Sequence, residues 1–168
     1  MAYKNPLIKL PDESINTKKS GLSSKLPDII EYRELNPTYF MFIDVLGFKD
    51  TFETSENEVK KVFEYFAKLI NQMKCLDQHS DQCYAGQTSD SLYFYTDKLD
   101  YLVCFVNIFL HFNIYAMSQD IYFRGGISKG KLYVNKPFQF YGNCVINSFK
   151  LESDIAKLPR IAVDKSTY

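Results

Sequence analysis

Thr38 to Thr51 reads TYFMFIDVLGFKDT. From Thr38 to Leu46 the run is almost continuously apolar and rich in aromatic and β-branched side chains, the pattern of a central strand covered on both faces. Asp44 stands inside it and is followed at once by Leu46-Gly47-Phe48. A carboxylate in an apolar run is costly unless it is paired or holds a metal, so Asp44 is the first candidate for a site.

After Gly47 the period changes to that of a helix. Val59, Val62, Phe63, Phe66, Ile70 and Met73 recur at three- and four-residue spacing, with Ser55 as N-cap and Glu58 completing a capping box. QCYAGQTS and DSLYFYT follow as a hairpin that turns near Ser89 and Asp90. A second helix is expected from about Lys98 to Ser118, burying Leu102, Val103, Val106, Phe109, Leu110, Asn113 and Met117. IYFRGGISKGKLYV then reads as a strand, a glycine turn and a shorter strand, before a third helix over 143–156 and a last strand, RIAVD. The order is β-α-β-β-α-β with β, α and β appended. That is an α+β fold with a ferredoxin-like core, an antiparallel or mixed sheet, helices on one face and a C-terminal β-α-β extension.

The 168 residues suffice for one core and are few for two domains. Residues 1–37 carry Pro6, Pro11, Pro27 and Pro37 among Lys, Ser and Asp with little periodicity, and read as a partly flexible N-terminal arm ahead of a domain over 38–168. Twenty Lys and Arg balance twenty Asp and Glu, which argues against sequence-independent binding to nucleic acid. Cys104 and Cys144 fall in apolar patterns as reduced thiols would. Cys75, His79 and Cys83 match no common zinc spacing and lack a fourth ligand. The start of the chain lacks the layout of a signal peptide, and Leu99 to Met117 is broken by Asp100, Asn107, His111 and Asn113. A soluble cytoplasmic protein without a membrane partner is expected.

In this strand order the first strand and the hairpin lie side by side, so Asp44 and Asp90 can converge. Two close carboxylates repel unless divalent cations sit between them, and a hard oxygen site suits Mg²⁺ or Mn²⁺. Such ions bind a nucleoside triphosphate through its phosphates. Leu46-Gly47-Phe48 leads into a helix whose first N–H groups, beside a glycine that lets phosphate approach, form an anion site. The bland alternative makes Asp44 a helix cap and Asp90 an ordinary turn residue.

FIDVLGF (42–48), TSDSLYF (88–94), FRGGISKG (123–130) and FYGNCVINSFKLES (140–153), in that order, resemble the motifs of the class III nucleotide cyclase catalytic domain, and PRIAVDKSTY resembles the strand that follows them. The resemblance covers about Tyr39 to Tyr168. It implies that Asp44 and Asp90 hold two Mn²⁺ or Mg²⁺ ions, with the Val45 carbonyl as a further ligand, and that Phe42 and the loop Leu46, Gly47 and Phe48 cradle the nucleotide. It also implies attack of the ribose 3′-hydroxyl on the α-phosphate, and a head-to-tail homodimer with two composite sites.

The departures fall on named residues. Ile146 stands where the family has its catalytic Asn, with Asn147 one residue along as a substitute about 100° round the helix. Lys150 stands where the family has an Arg, keeping the charge and losing the planar fork. Arg124 is a second candidate for the triphosphate, with a surface strand arginine as the alternative. Where purine-using relatives read the base with a Lys and an Asp, this register has Tyr84 and Gln139, and a bulky Tyr leaves less room for a purine.

The helix Y-G-N-x-V-I-x-S-x-x-L-E is similar to that of the pyrimidine cyclases of bacterial Pycsar antiphage systems, which make cyclic UMP or cyclic CMP to activate a separate effector. UTP or CTP is therefore the expected substrate. A purine cyclase and a catalytically silent homologue that binds nucleotide and regulates a partner stay open; a palm polymerase or diguanylate cyclase fits less well, because TSDSL is unlike GGDEF.

Overall fold

The computed structural model describes residues 31–48, 53, 55–77, 83–136 and 139–168. The expected core is present in order: β1 (Arg33–Val45), α1 (Glu56–Asp77), β2 (Cys83–Thr88), β3 (Ser91–Thr96), α2 (Leu99–Met117) and β4 (Phe123–Lys136). The extension is β5 (Gln139–Tyr141), α3 (Asn143–Lys150), a π-helical turn over Leu151–Ile155, β6 (Ile161–Val163) and a closing 3₁₀ turn. The sheet is mixed. Its antiparallel order is β2-β3-β1-β4-β5, and β6 joins the far edge of β4 in parallel.

Period-2 alternation splits β1 between two cores. Met41, Ile43 and Val45 pack with Leu92, Phe94, Phe123 and Ile127 beneath α1 and α2. Phe40 and Phe42 pack with Tyr93, Tyr95, Leu132 and Cys144 on the other face. There α3 is seated, with the Ser148 hydroxyl donating to the Phe40 carbonyl at 2.9 Å. The helices therefore do not all share one face: the two core helices cover one side and α3 the other, because Phe40 and Phe42 leave an apolar second face to bury.

Several other expectations are corrected. β1 begins at Arg33, inside the segment read as arm, because Leu35 is buried and pairs Leu132; the register shifts between Leu35 and Thr38, where Pro37 offers no N–H. FRGGISKGKLYV holds no turn. β4 runs unbroken for 14 residues, and its glycines mark close approach instead: a Cβ on Gly130 would fall 2.3 Å from the Asn143 Oδ1 that accepts from the Lys131 N–H. The appended strand is accordingly Gln139–Tyr141 and not the end of IYFRGGISKGKLYV.

Helix α1 buries Val59, Val62, Tyr65, Phe66 and Leu69, while Phe63 is exposed. Ser55 sits at its N-cap position and its carbonyl accepts from Val59 N; the side chains of Glu58 and Met73 lie outside the described residues, as does most of the Cys75–His79 segment. Helix α2 buries Leu102, Phe105, Phe109 and Ala116, leaving Val103, Leu110 and Met117 exposed and Cys104 on the surface. It is long and apolar enough by length and composition to cross a membrane, and in this fold it lies on the sheet through that stripe.

Candidate active site

Asp44 lies one residue from the end of β1, on the face that carries Phe40 and Phe42. The ladder sets Ser91 of β3 on one side of it and Arg124 of β4 on the other. Both neighbours engage it: Ser91 Oγ donates to Asp44 Oδ1 at 3.0 Å, and Arg124 Nη2 lies 3.3 Å from Oδ2. The carboxylate that looked isolated in the sequence is held by its cross-strand partners.

Asp90 occupies the β2–β3 turn beside Ser89, whose φ of 53° is left-handed. Its charge is felt at Asp44. Burial is the main cause that pushes the Asp44 carboxyl above the ordinary carboxylate range and Asp90 adds to it, against the Ser91 hydrogen bond and Arg124, which pull it down. The ladder pairs Asp44 with Ser91, the residue after Asp90, so the two expected acids belong to the same end of the sheet. Beneath them β1 ends at Val45, whose side chain is in the core, so its carbonyl is the oxygen it could offer a cation.

Glu152, which the sequence reading did not single out, joins this cluster from the π-helical turn. It is only 6 % exposed, and its Oε1 lies 2.5 Å from Arg124 Nε, the two charges side by side and not aligned as a hydrogen bond. Burial raises its carboxyl above the usual range while Arg124 opposes the rise. Arg124 is thus shared between two carboxylates, and is neither a plain surface arginine nor a free phosphate contact.

Gly47 adopts φ 72°, the left-handed turn that carries the chain out of β1. Leu46 N donates to the Tyr122 carbonyl at 2.9 Å. Leu46 and Phe48 line a cleft of about 530 Å³ with Ser55, Lys61, Gln119 and Asp120. Lys61, a cation in the second turn of α1 that the sequence reading did not single out, also lines this cleft.

On the α3 face a smaller pocket of about 190 Å³ is lined by Phe40, Phe42, Thr88, Ser91, Tyr93, Phe140 and Phe149. It shares Ser91 with the Asp44 cluster. Phe149 closes on Phe42 with ring centroids 4.0 Å apart, and Phe140 tilts over Tyr93 at 4.9 Å. Tyr84 and Gln139, expected to read a base, lie outside this lining. Tyr84 is on edge strand β2, stacked on Tyr93 and Tyr95, and Gln139 is exposed and accepts from Asn135 at 3.0 Å. Gly86, opposite Tyr93, leaves room for both rings: a Cβ there would fall 2.4 Å from the Tyr93 hydroxyl and 2.9 Å from Tyr84 Cε1.

Asn147 is half-buried on α3, and Lys150 is exposed at its end, with no ion pair to Asp44 or Asp90 among the described residues. Ile146 is 57 % and Phe149 43 % exposed, so α3 shows an apolar outer surface. No group of three or more metal-ligating side chains occurs among the described residues. Asp44 and Asp90 still suit a cation of the Mg²⁺ class, which binds through one or two carboxylates and keeps water and substrate phosphates as its other ligands.

The six-stranded sheet, its two core helices and the α3 extension make up the fold of class III nucleotide cyclase catalytic domains. Solved structures similar to this chain include the non-canonical dimeric guanylyl cyclase domain of a RhoGC fusion protein from the aquatic fungus Blastocladiella emersonii, at TM-score 0.61 and 16 % identity over 83 % of this chain and 85 % of that one. The catalytic core of a rhodopsin-guanylyl cyclase with converted specificity, in complex with ATPαS, gives TM-score 0.63 and 19 % identity over 82 % of each. The adenylyl cyclase CyaB from P. aeruginosa gives 0.58 and 17 %, over 82 % of this chain and 81 % of that one. At such identities the likeness is one of fold. No protein-family model matches the chain. No curated protein matches it either.

Proposed function

We propose that this protein is a pyrimidine nucleotide cyclase, converting UTP or CTP to the 3′,5′-cyclic nucleotide and pyrophosphate. The observation that supports the reading is the register that sets Asp44 opposite Ser91, the residue after Asp90, at one end of a cyclase-type sheet, next to a small aromatic pocket. Two Mn²⁺ or Mg²⁺ ions held there would activate the ribose 3′-hydroxyl and neutralise charge on the departing pyrophosphate.

The chain's own residues supply the rest. Ser91 fixes one Asp44 oxygen and so orients the carboxylate. The left-handed turn at Gly47 brings Leu46 and Phe48 to a cleft in which Ser55 and Lys61 offer a hydroxyl and a cation for the triphosphate. Phe42, Phe140 and Phe149 offer faces for stacking a base, with the Thr88, Ser91 and Tyr93 hydroxyls as its polar contacts. The choice of a pyrimidine over a purine rests on the likeness of the α3 motif to the Pycsar pyrimidine cyclases.

The exposed apolar surface of Ile146 and Phe149 supports a homodimer in which α3 brings Asn147 and Lys150 to a partner's site. The likeness of the α3 motif to the Pycsar pyrimidine cyclases supports an antiphage role, with the cyclic nucleotide acting on a separate effector in the cytoplasm. One observation favours the silent homologue as a second reading: Arg124 already occupies the Asp44 oxygen that a cation would need.

The test is Mn²⁺-dependent turnover of Asp44→Ala and Asp90→Ala, with competition by all four nucleoside triphosphates. Loss in both variants, and competition strongest with UTP or CTP, is expected. Retained turnover in either variant removes the two-metal reading, and strongest competition by a purine removes the pyrimidine one.

A further inference from the structure

The cyclase reading leaves one buried charge without a task. Glu152 lies against the sheet with a side chain only 8 % exposed, and its ion-pair partner is Arg124. A carboxylate kept there has to be matched by the cation it faces. Arg124 has a side chain 28 % exposed and lies between the two acids, 2.5 Å from Nε to Glu152 and 3.3 Å from Nη2 to Asp44, the latter a hydrogen bond. The guanidinium therefore bridges the two acids, with a hydrogen bond from Nη2 to Asp44 and a closer, unaligned ion-pair contact from Nε to Glu152.

This bridge is built into the backbone. Gly126 lets the end of α3 press on β4, with Ser148 O and Leu151 Cβ where a side chain would be, and the π-helical turn that starts at Leu151 then carries Glu152 over Arg124. Two carboxylates share one cation, so the cluster of Asp44, Arg124 and Glu152 carries one negative charge before Asp90 is counted. A divalent ion at Asp44 would relieve that excess, provided that Arg124 has somewhere else to go.

We propose that Glu152 is a positioning residue that keeps the Arg124 guanidinium parked beside Asp44, so that Asp44 can be released to a divalent cation. The inference rests on the cyclase reading, in which Asp44 is a metal ligand. Without the Glu152 charge, the five-donor fork of Arg124 closes on Asp44, whose other oxygen is already taken by Ser91, and an incoming ion has to displace a cation with no second anion.

The experiment is Mn²⁺ titration of the full chain, followed by the electron paramagnetic resonance of free Mn²⁺, for wild type, Asp44→Ala, Glu152→Gln, Arg124→Gln and the Glu152→Gln/Arg124→Gln double variant. Glu152→Gln is expected to weaken Mn²⁺ about tenfold, which is about 1.4 kcal/mol. Removing Arg124 as well is expected to restore binding to within about twofold of wild type, a rescue that a merely structural glutamate would not show. Unchanged or tighter binding in Glu152→Gln, or a double variant as weak as Glu152→Gln, overturns the proposal. Equal Mn²⁺ binding by wild type and Asp44→Ala overturns the metal site and this inference together, whereas loss in Asp44→Ala without loss in Glu152→Gln overturns the inference alone. Melting curves identify any variant that fails to fold. In that event Glu152→Asp, which keeps the charge on a shorter arm, replaces Glu152→Gln, with about threefold weakening expected and wild-type binding as the contrary result.

Discussion

Gly126→Ala tests whether the seating of α3 on the sheet governs the site. A Cβ at this position would lie 2.2 Å from the Ser148 carbonyl oxygen and 2.7 Å from Leu151 Cβ, where side-chain carbons do not come closer than 3.0 Å. The first obstacle is helix backbone and cannot rotate away, so the end of α3 has to rise by roughly 1 Å for ordinary contact. Overpacking of this kind costs about 1–3 kcal/mol. In a chain of 168 residues that lowers the melting temperature by roughly 2–12 °C. The same movement opens the 4.0 Å contact between Phe42 and Phe149, lifts Glu152 from Arg124 and displaces Asn147 and Lys150. Misplacement by about 1 Å can reduce turnover on the order of 10²-fold. Gly130→Ala is the control, because its obstacle is the Asn143 side chain, which can turn aside. Thermal melts and cyclic-nucleotide production read the two variants side by side. If Gly126→Ala keeps both its melting temperature and its turnover, α3 is not seated as described and the reasoning fails.

Three further outcomes follow from the site. Lys150→Ala should lower the rate about 10²-fold with little change in nucleotide affinity if, as proposed, the amine serves charge that develops in the transition state; a fall in affinity alone, read by equilibrium nucleotide binding, would reduce it to a ground-state contact. Phe140→Ala should widen the aromatic pocket and cut the preference for UTP or CTP over ATP or GTP about tenfold in a competition assay, and an unaltered preference would place the base elsewhere. Burial raises the carboxyls of both Asp44 and Glu152, so between the ordinary carboxylate value and the raised one the folded state binds more protons than the unfolded state. Stability should therefore fall as pH rises through that window, and Mn²⁺, which favours the charged form, should flatten or reverse the slope; melts across pH with and without Mn²⁺ check the sign.

The parts legible in the sequence were those that rest on local pattern. The apolar run through Ile43 marked the central strand, and the break at Ser89 and Asp90 marked the hairpin that brings the second acid beside the first. What stayed hidden depends on neighbours distant in the chain. Gly130 reads equally as a turn or as a close approach, and only Asn143 folding back on Lys131 decides between them. Helix α2 carries apolar residues on most of its surface, so periodicity could not tell that Phe105 and Ala116 face the sheet while Leu110 and Met117 do not. That Tyr93 and not Tyr84 lines the aromatic pocket depends on the packing of β2, β3 and α3 together, which no single stretch of sequence shows. Arg124 and Glu152 could be noticed in the sequence, but their meeting above Asp44 needs β4, α3 and the π-helical turn in place together.

The most direct measurement is to incubate the purified protein with each of ATP, GTP, CTP and UTP in the presence of Mn²⁺ and to identify the products by mass spectrometry. Cyclic UMP or cyclic CMP together with an equal amount of pyrophosphate is expected. No cyclic product from any of the four nucleotides would contradict it.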